Sequence, residues 1–314
     1  MGMENQTIIT EVILQGFSTD LKINIALFLL FLTIYLITII GNFLIICTVL
    51  MNARLHLPMY FFLCNLSFID FCYSSTAVPR LLSDLFTLHR TISNRACGIQ
   101  LYIILFMGGT ECQLLVLMAY DRFVAICWPL HYPVMMRWSV CYRLTAFVWI
   151  FSFMIYIFPS LVMPISLCNR NQINHFMCEL VAVIKLSCGD IYLNELVIFC
   201  ISFISLLLPF LFILISYICI ISSVLKVRTA GKYKAFSTCT SHIIVVVLYF
   251  GTGMITYFGP SSLYASNQEK YISVFYVAVC PMLNPLIYSL NNREVRKSFR
   301  TLFTKHIVSS SIMN

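Results

Sequence analysis

Long apolar stretches without charge follow one another along the chain, separated by short segments that carry the charges. Five stretches contain no charged residue over 22 to 34 positions, and two more of 25 positions are each interrupted by one acid, Asp70 or Glu111. A helix needs about 20 apolar residues to cross about 30 Å of hydrocarbon. A transmembrane β-barrel would instead show short segments of alternating polarity. The pattern therefore predicts an all-α membrane protein with seven transmembrane helices.

The ends of the apolar stretches divide the chain into three parts. Residues 1–22 form an amino-terminal segment, residues 23–290 the seven-helix domain and residues 291–314 a tail. Within the domain we place the spans at about residues 24–50, 58–80, 97–120, 143–166, 196–225, 236–259 and 271–290. Apolar residues of the tail stand between basic ones at helical spacing, which predicts a short amphipathic helix on the inner face of the membrane. These residues are Val295, Phe299, Leu302 and Phe303.

The balance of charges indicates both class and orientation. Charged residues make up only 10% of the chain, against about 25% in soluble domains, so we expect lipid over much of the surface. With the amino terminus outside, 13 of the 20 Lys and Arg residues fall on the inner side, in line with the positive-inside rule. Asn5 begins a glycosylation site that is usable only on the outer side. Nucleic-acid binding is disfavoured, because no basic stripe with interleaved aromatic residues stands clear of an apolar stretch.

Four of the 14 cysteines fall on the predicted outer side, namely Cys97, Cys168, Cys178 and Cys188. The other ten lie within spans or on the inner side, where a reduced thiol behaves as a small apolar residue. An even number in an oxidising compartment favours two disulfides. From the residues alone, all three pairings of the four are open.

Several short patterns of polar and small residues interrupt the apolar stretches. They are Gly41-Asn42, Leu57-Pro58-Met59-Tyr60, Leu66-Ser67-Phe68-Ile69-Asp70, Met118-Ala119-Tyr120-Asp121-Arg122-Phe123, Ser216-Tyr217, Lys234-Ala235-Phe236-Ser237-Thr238-Cys239 and Pro281-Met282-Leu283-Asn284-Pro285-Leu286-Ile287-Tyr288. In this order and at these spacings they closely resemble the odorant (olfactory) receptor family, a branch of the rhodopsin-like G-protein-coupled receptors. The resemblance covers the chain from about Phe17 to Phe303.

The resemblance implies a function without enzymatic activity. A member of this family binds a small, mostly hydrophobic volatile molecule within its helix bundle and activates a stimulatory (olfactory) G protein, which raises cyclic AMP. It implies a place in the plasma membrane of olfactory neuron cilia, with lipid, odorant and heterotrimeric G protein as partners. A receptor of the same fold for an endogenous metabolite outside the nose is the alternative. A transporter or channel is disfavoured, because such proteins tend to show inverted repeats.

Six residues near the inner ends of the spans are implied to switch the receptor and couple it to the G protein. They are Asp121, Arg122, Tyr217, Asn284, Pro285 and Tyr288. By the resemblance, Arg122 contacts the G protein after its release from Asp121. From the residues alone, Arg122 also fits a positive-inside anchor and Pro285 an ordinary kink in a span.

Asp70 and Glu111 are two acids that we expect at mid-depth in the membrane. An unpaired carboxylate there is costly, so such residues indicate a functional site. We expect the two to face each other across a hydrated pocket and hold a cation, and the resemblance implies sodium. The alternatives are a shared proton, or two protonated carboxyl groups hydrogen-bonded to serines such as Ser67 or Ser289.

We expect the ligand one to two helical turns outward of Glu111. On the third span this depth corresponds to Ile104, Leu105, Gly108, Gly109 and Cys112, and the family alignment adds Ile201, Ser205, Phe250, Gly253, Tyr257 and Val277 from later spans. The lining is mostly apolar and has no acid at Ile104 to bind an amine, which favours a small neutral molecule. Taken singly, each of these residues also fits plain helix packing.

One departure from the family pattern concerns the pocket floor. The sixth span reads Tyr249-Phe250-Gly251 where the family reads Phe-Tyr-Gly. The aromatic residue at the floor of the pocket is therefore expected to lack a hydroxyl.

For the outer cysteines, the resemblance favours the pairs Cys97–Cys178 and Cys168–Cys188. His175, Cys178 and Glu179 also resemble a metal-binding triplet of some relatives. Copper would need Cys178 as a free thiolate, and the disulfide is favoured over it, so we expect no metal.

Overall fold

The computed structural model describes residues 10–158, 171–184, 186, 191–226, 231–258, 268–291 and 294–297. Seven helices within these ranges are long and apolar enough to cross a membrane. They pack against one another along their lengths, with α-helix as the predominant structure. This confirms the predicted all-α fold of seven membrane-spanning helices.

The seven spanning helices of the described ranges have the following bounds. The first three are α1 (Leu21–Met51), α2 (Pro58–Asp84) and α3 (Asn94–Cys127). Helix α4 runs over Trp138–Ser152 and continues through a π-helical turn, Phe153–Ile157. Helix α5 comprises Ile191–Ser202, the π-helical turn Phe203–Leu207 and Leu208–Lys226. Helix α6 is Gly231–Phe258, and α7 comprises Gln268–Val274, the π-helical turn Phe275–Val279 and Cys280–Asn291.

Three shorter helical segments lie between the spans. They are Ala53–Leu55, Tyr132–Met135 and Leu180–Ile184. After α7, residues 294–297 are helical, with Val295 fully buried and its three neighbours exposed. One apolar residue buried between polar ones agrees with the amphipathic pattern of the tail, whose residues Phe299, Leu302 and Phe303 lie outside the described ranges.

Polar residues or proline stand at the starts of the first three spans. The Asp20 carboxylate accepts hydrogen bonds from the backbone N–H groups of Lys22 (2.8 Å) and Ile23 (3.3 Å) at the start of α1. Ser93 Oγ accepts from the Ala96 N–H (3.2 Å) at the start of α3. Helix α2 begins with Pro58, whose missing N–H needs no partner in a first turn. Helices α1 and α3 therefore begin directly after a residue whose side chain caps them, and α2 begins at a proline.

A small sheet closes one end of the bundle, which we call the sheet end. Strand β1 (Glu11–Leu14) lies in the centre, antiparallel to β2 (Thr91–Ser93) and parallel to β3 (Gln172–Ile173). A disulfide joins Cys97 near the start of α3 to Cys178, five residues after β3. The amino-terminal segment and the segment around β3 are thus fixed over the same end of the helices.

The Gly41-Asn42 pattern allows α1 to pack closely against α7. A Cβ atom at Gly41 would lie 2.9 Å from Pro285 Cγ, so no larger residue fits there without a shift. Asn42 Nδ2 donates to the carbonyl oxygen of Pro281 at 3.0 Å. Glycine and asparagine therefore hold α1 against the proline-containing part of α7.

Apolar residues cover both the centre and the outside of the bundle. Leu66 on α2 and Leu114, Leu115 and Met118 on α3 are completely buried. On the outside, Phe43 of α1 and Phe147 of α4 are more than half exposed. Apolar side chains over an exposed helical surface suit a hydrocarbon environment rather than water. The chain is therefore a multi-pass membrane protein.

Candidate ligand cavity and signalling residues

A cavity of about 590 Å³, which includes space open to the outside, lies between α3, α5 and α6 toward the sheet end. Its described lining residues are Tyr73, Ile104, Leu105, Gly108, Gly109, Cys112, Tyr156, Leu180, Ile201, Ser202, Ser205, Leu206, Tyr249, Gly253, Tyr257 and Tyr276. Of the eleven residues predicted to contact the ligand, all but Phe250 and Val277 line it. Nine of the predicted residues therefore border one cavity, and their contact with a ligand stays a prediction.

Phe250 and Val277 are corrections to the predicted lining. Phe250 is completely buried and packs against Phe210, with ring centroids 5.9 Å apart. The preceding residue, Tyr249, faces the cavity in its place. The expectation that the aromatic residue at the pocket floor lacks a hydroxyl is therefore wrong. Val277 is 1% exposed, belongs to the π-helical turn of α7 and lies in an apolar cluster with Phe31.

Four of the lining tyrosines have hydroxyls that bond to the protein. Tyr249 donates to the Gly108 carbonyl oxygen (3.0 Å), and Tyr276 donates to Ser273 Oγ (2.7 Å). Tyr156 donates to Ser205 Oγ. Tyr257, one of the predicted lining residues, donates to Glu179 Oε1 at 3.4 Å. The sequence reasoning missed Tyr73, Tyr156, Tyr249 and Tyr276, although buried tyrosines that can form hydrogen bonds are a usable signal.

Gly109 makes room for the ring of Tyr156. A Cβ atom built on Gly109 would lie within 2.5 Å of three atoms of that ring. Tyr156 belongs to the π-helical turn of α4, and such turns inside α-helices often occur at functional sites. The cavity wall between α3 and α4 is therefore the ring of Tyr156 lying on a glycine.

The segment after β3, which we call the lid, covers the cavity, and its Leu180 belongs to the cavity lining. Glu179 Oε2 accepts hydrogen bonds from the backbone N–H groups of Val181 (2.8 Å) and Ala182 (3.2 Å), at the start of the short helix. Burial, and secondly the charge of Glu269, raise the pKa of the Glu179 carboxyl to about 8. Together with the Tyr257 bond, Glu179 links this lid to α6.

His175 belongs to the same segment after β3 and is a neutral imidazole. Its Nδ1 accepts from the Met177 N–H (3.2 Å), and its Nε2 lies 3.1 Å from Ser273 Oγ on α7. Burial, and secondly the charge of Lys270, lower the pKa of His175 to about 3. Because Cys178 is in the disulfide with Cys97, it has no thiolate to complete the metal-binding triplet.

Asp70 and Glu111 are both completely buried and share one partner, Asn284 of α7. Asn284 Nδ2 lies 3.0 and 3.2 Å from the two Asp70 carboxylate oxygens and 3.5 Å from Glu111 Oε1. Glu111 Oε2 is buried without a hydrogen-bond partner among the described residues. Ser289 donates to the Leu286 carbonyl oxygen, and Ser67 Oγ has no partner in the described ranges. The acids are thus joined through Asn284 and not through these serines.

At the end opposite the sheet, Asp121 and Arg122 form a loose ion pair, with Arg122 Nε 3.9 Å from Asp121 Oδ2. Tyr217 of α5 and His242 of α6 are joined by a buried hydrogen bond of 2.7 Å between the hydroxyl and Nδ1. Tyr288 is buried on α7, and its hydroxyl has no partner among the described residues. Of the six residues predicted as a switch, four therefore lie at this end: Asp121, Arg122, Tyr217 and Tyr288. Asn284 instead joins Asp70 and Glu111, and Pro285 lies beside Gly41. His242 is a partner of Tyr217 that the sequence did not predict.

Besides the tail residues, three predicted features lie outside the described ranges. They are the glycosylation site at Asn5 and the cysteines Cys168 and Cys188.

Seven spanning helices around a buried cavity, with an Asp-Arg pair at the opposite end, define a seven-helix membrane receptor.

The family model described as olfactory receptor matches residues 31–306. Olfactory receptor 2B6 of Mus musculus is 44% identical over 99% of this chain and 100% of its own length. Olfactory receptor 6B1 of Homo sapiens is 44% identical over 96% of this chain and 97% of its own. Olfactory receptor-like protein OLF3 of Canis lupus familiaris is 44% identical over 96% of each chain.

The chain therefore belongs to the olfactory receptor family. It is an odorant receptor of the G-protein-coupled class and not an enzyme.

Proposed function

We propose that the chain binds a small, neutral, mostly apolar volatile molecule in the cavity and in response activates a stimulatory, olfactory-type G protein that raises cyclic AMP. The observation that carries this proposal is the cavity, whose described lining contains no charged residue. A charged ligand would lose its hydration there without a counter-charge, whereas an apolar ligand gains from leaving water. The lid with Leu180 closes the cavity toward the sheet end, as suits a small ligand.

The orientation that fits this function has the sheet end outside and the Arg122 end inside the cell. The excess of Lys and Arg in the segments at the Arg122 end supports it. The disulfide between Cys97 and Cys178 at the sheet end supports it as well, since such bonds persist in oxidising compartments. We place the receptor in the plasma membrane of olfactory neuron cilia, with Asn5 carrying a glycan outside.

The signal has to travel from the cavity to Arg122. Ile104 and Arg122 are 18 residues apart on α3, which is about 27 Å at 1.5 Å per residue. A ligand shifts a two-state bundle only by its differential affinity for the two states. A shift from 1% to 50% active needs roughly a hundredfold preference. Contacts to Tyr249 and Gly253 of α6 are placed to supply such a preference.

Asp70, Glu111 and Asn284 form a second part of the proposal, an ion or proton site between α2, α3 and α7. Carboxylate oxygens suit sodium, and the unpaired Glu111 Oε2 fits a cation ligand. A shared proton would neutralise the pair equally well. If sodium binds, NaCl should raise the melting temperature of the purified receptor more than choline chloride does, and Asp70→Asn should remove the difference. Equal effects of both salts would favour the shared proton.

Cyclic AMP measurements in cells that supply the olfactory-type G protein test the main proposal. An odorant panel should raise cyclic AMP only when both receptor and G protein are present. Arg122→Ala should abolish this signal at equal surface expression, while odorant binding to the purified receptor persists. Uptake of a radiolabelled odorant without a cyclic AMP response would favour a transporter instead. Normal signalling by Arg122→Ala would contradict the coupling role.

A further inference from the structure

One phenol of the cavity differs from the others in its hydrogen bonding. Tyr73 of α2 lines the cavity and is 3% exposed. Its hydroxyl has no hydrogen-bond partner in the described part of the chain, whereas those of Tyr156, Tyr249, Tyr257 and Tyr276 all donate to protein oxygens. A buried phenol ordinarily has a partner. The Tyr73 hydroxyl is therefore available to a bound ligand.

The serines of the lining are in a different position. Ser205 Oγ already accepts a hydrogen bond from Tyr156. A serine on a helix can also donate to the carbonyl four residues earlier, as Ser216 of the same helix does to Phe212 at 2.9 Å. That option is open to Ser202 as well. A tyrosine hydroxyl lies too far from its own backbone for such a bond, so Tyr73 needs an acceptor from elsewhere.

Gly108 brings the backbone of α3 close to the hydroxyls of Tyr73 and Tyr249 at the cavity wall. A Cβ atom built on Gly108 would lie 3.6 Å from that hydroxyl and 3.1 Å from the hydroxyl of Tyr249. The Tyr249 proton is already directed to the Gly108 carbonyl oxygen. Of these two phenols, Tyr73 is the one whose proton has no acceptor among the described residues. An acceptor oxygen of a ligand would complete its hydrogen bond.

We propose that Tyr73 donates a hydrogen bond to an oxygen atom of the odorant, so that the receptor selects volatile molecules with an acceptor oxygen, such as ketones and ethers, on an apolar skeleton. This inference rests on the proposed function, since it requires an odorant in the cavity. The apolar part of the ligand lies against residues such as Ile104, Leu105 and Leu206. A hydrocarbon of the same shape leaves the Tyr73 hydroxyl unpaired, and buried unpaired polar groups are a strong source of discrimination.

The test compares Tyr73→Phe with the wild type on matched probes. Each set consists of a linear ketone, the corresponding ether and the alkane with the same number of heavy atoms. Half-maximal concentrations for cyclic AMP and surface expression are measured together. On the wild type, ketone or ether should act at about a tenfold lower concentration than the alkane. In Tyr73→Phe this ratio should fall to about one.

Tyr35→Phe is the matched control. Tyr35 of α1 lies outside the cavity lining, and its hydroxyl is 3.1 Å from Ser75 Oγ of α2. This variant also removes one phenol hydroxyl that faces α2 and should keep the wild-type ratio. Because the ratio is taken within each variant, differences in folding or expression cancel.

Several outcomes would overturn the inference. Equal potency of ketone and alkane on the wild type would do so without any variant. An unchanged ratio in Tyr73→Phe would exclude the hydroxyl as the contact. Equal losses for ketone and alkane would instead assign Tyr73 to the neighbouring Asp70 and Glu111 site. A wild type that responds to no volatile probe, while a control receptor responds in the same cells, would contradict the proposed function itself.

Discussion

The Tyr132 hydroxyl donates a hydrogen bond of 2.8 Å to Asp121 Oδ1, whereas Arg122 Nε lies 3.9 Å from the other oxygen of that carboxylate. Arg122 Nε has no hydrogen-bond partner among the described residues. Burial, followed by the charge of Asp121, raises the pKa of Tyr132, so its hydroxyl remains a protonated donor. The short helix Tyr132–Met135 therefore holds Asp121 more closely than Arg122 does.

Tyr132→Phe should lower the response to an agonist without abolishing odorant binding. Without the phenol, the buried Asp121 carboxylate keeps Arg122 as its charged partner, and their ion pair tightens. A hydrogen bond to a charged group contributes about 1.5–3 kcal/mol, so the half-maximal agonist concentration should rise about tenfold or more. Concentration–response curves at equal surface expression measure this. An unchanged or lower half-maximal concentration would show that Tyr132 does not weaken the ion pair between Asp121 and Arg122.

The lid should make the stability of the receptor depend on pH. Glu179 has a pKa of about 8 in the folded protein against an ordinary 4.5. The folded state keeps this proton where the unfolded chain has lost it, so stability falls as pH rises toward 8. His175, with a pKa of about 3 against an ordinary 6.5, acts in the opposite direction. The unfolded chain binds that proton first, so stability falls as pH drops below 6.5.

Between pH 4.5 and 6.5 the two effects oppose each other, and above 6.5 only the loss due to Glu179 remains. The free energy of unfolding should therefore fall by about 1–2 kcal/mol between pH 6.5 and 8, since one pKa unit is worth about 1.4 kcal/mol. Glu179→Gln should flatten this decline, and Glu11→Gln, at an exposed acid of β1, should not. Melting temperatures of the purified receptor across this range measure it. A decline that persists in Glu179→Gln would assign it to other groups.

Two glycines of α3 should respond in opposite ways to substitution by alanine. At Gly109 a methyl group would overlap the ring of Tyr156, whereas at Gly98 it would meet no atom within 4 Å. Gly109→Ala should cost about 1–3 kcal/mol through overpacking. Gly98→Ala should gain up to about 1 kcal/mol, because alanine is the better helix former. Thermal unfolding of both variants tests the placement of Tyr156, which would be wrong if Gly109→Ala were as stable as Gly98→Ala.

Hydropathy and charge were sufficient to predict the seven helices. The residues of α3 that border the cavity were predicted from their depth relative to Glu111, with the family resemblance supplying the residues of the later spans. Asp20, Ser93 and Pro58 mark helix starts directly in the sequence. The reason is that span length depends only on the thickness of the hydrocarbon, and the starts depend on local capping.

The sequence did not determine which face of α6 looks into the cavity. A span that is apolar all round has no polar side to fix its rotation about its axis. Tyr249 and Phe250 are consecutive, so their side chains point in directions about 100° apart around that axis. The π-helical turns, which include Tyr156 and Tyr276, are also without a sequence signal that we recognised. The sheet was missed because β2 and β3 are only three and two residues long, shorter than any periodicity can reveal.

The central claim is that the odorant binds in the cavity and acts from there on the G protein. Gly253 of α6 lines the cavity, and a Cβ atom there would lie 3.1 Å from Leu206, whereas Gly251 of the same helix is outside the lining and faces open space. The most direct measurement is odorant-evoked cyclic AMP from Gly253→Leu and Gly251→Leu at equal surface expression. We predict that Gly253→Leu loses the response while Gly251→Leu keeps it. A normal response from Gly253→Leu, in which the leucine side chain fills part of the cavity, would contradict the claim that the odorant binds there.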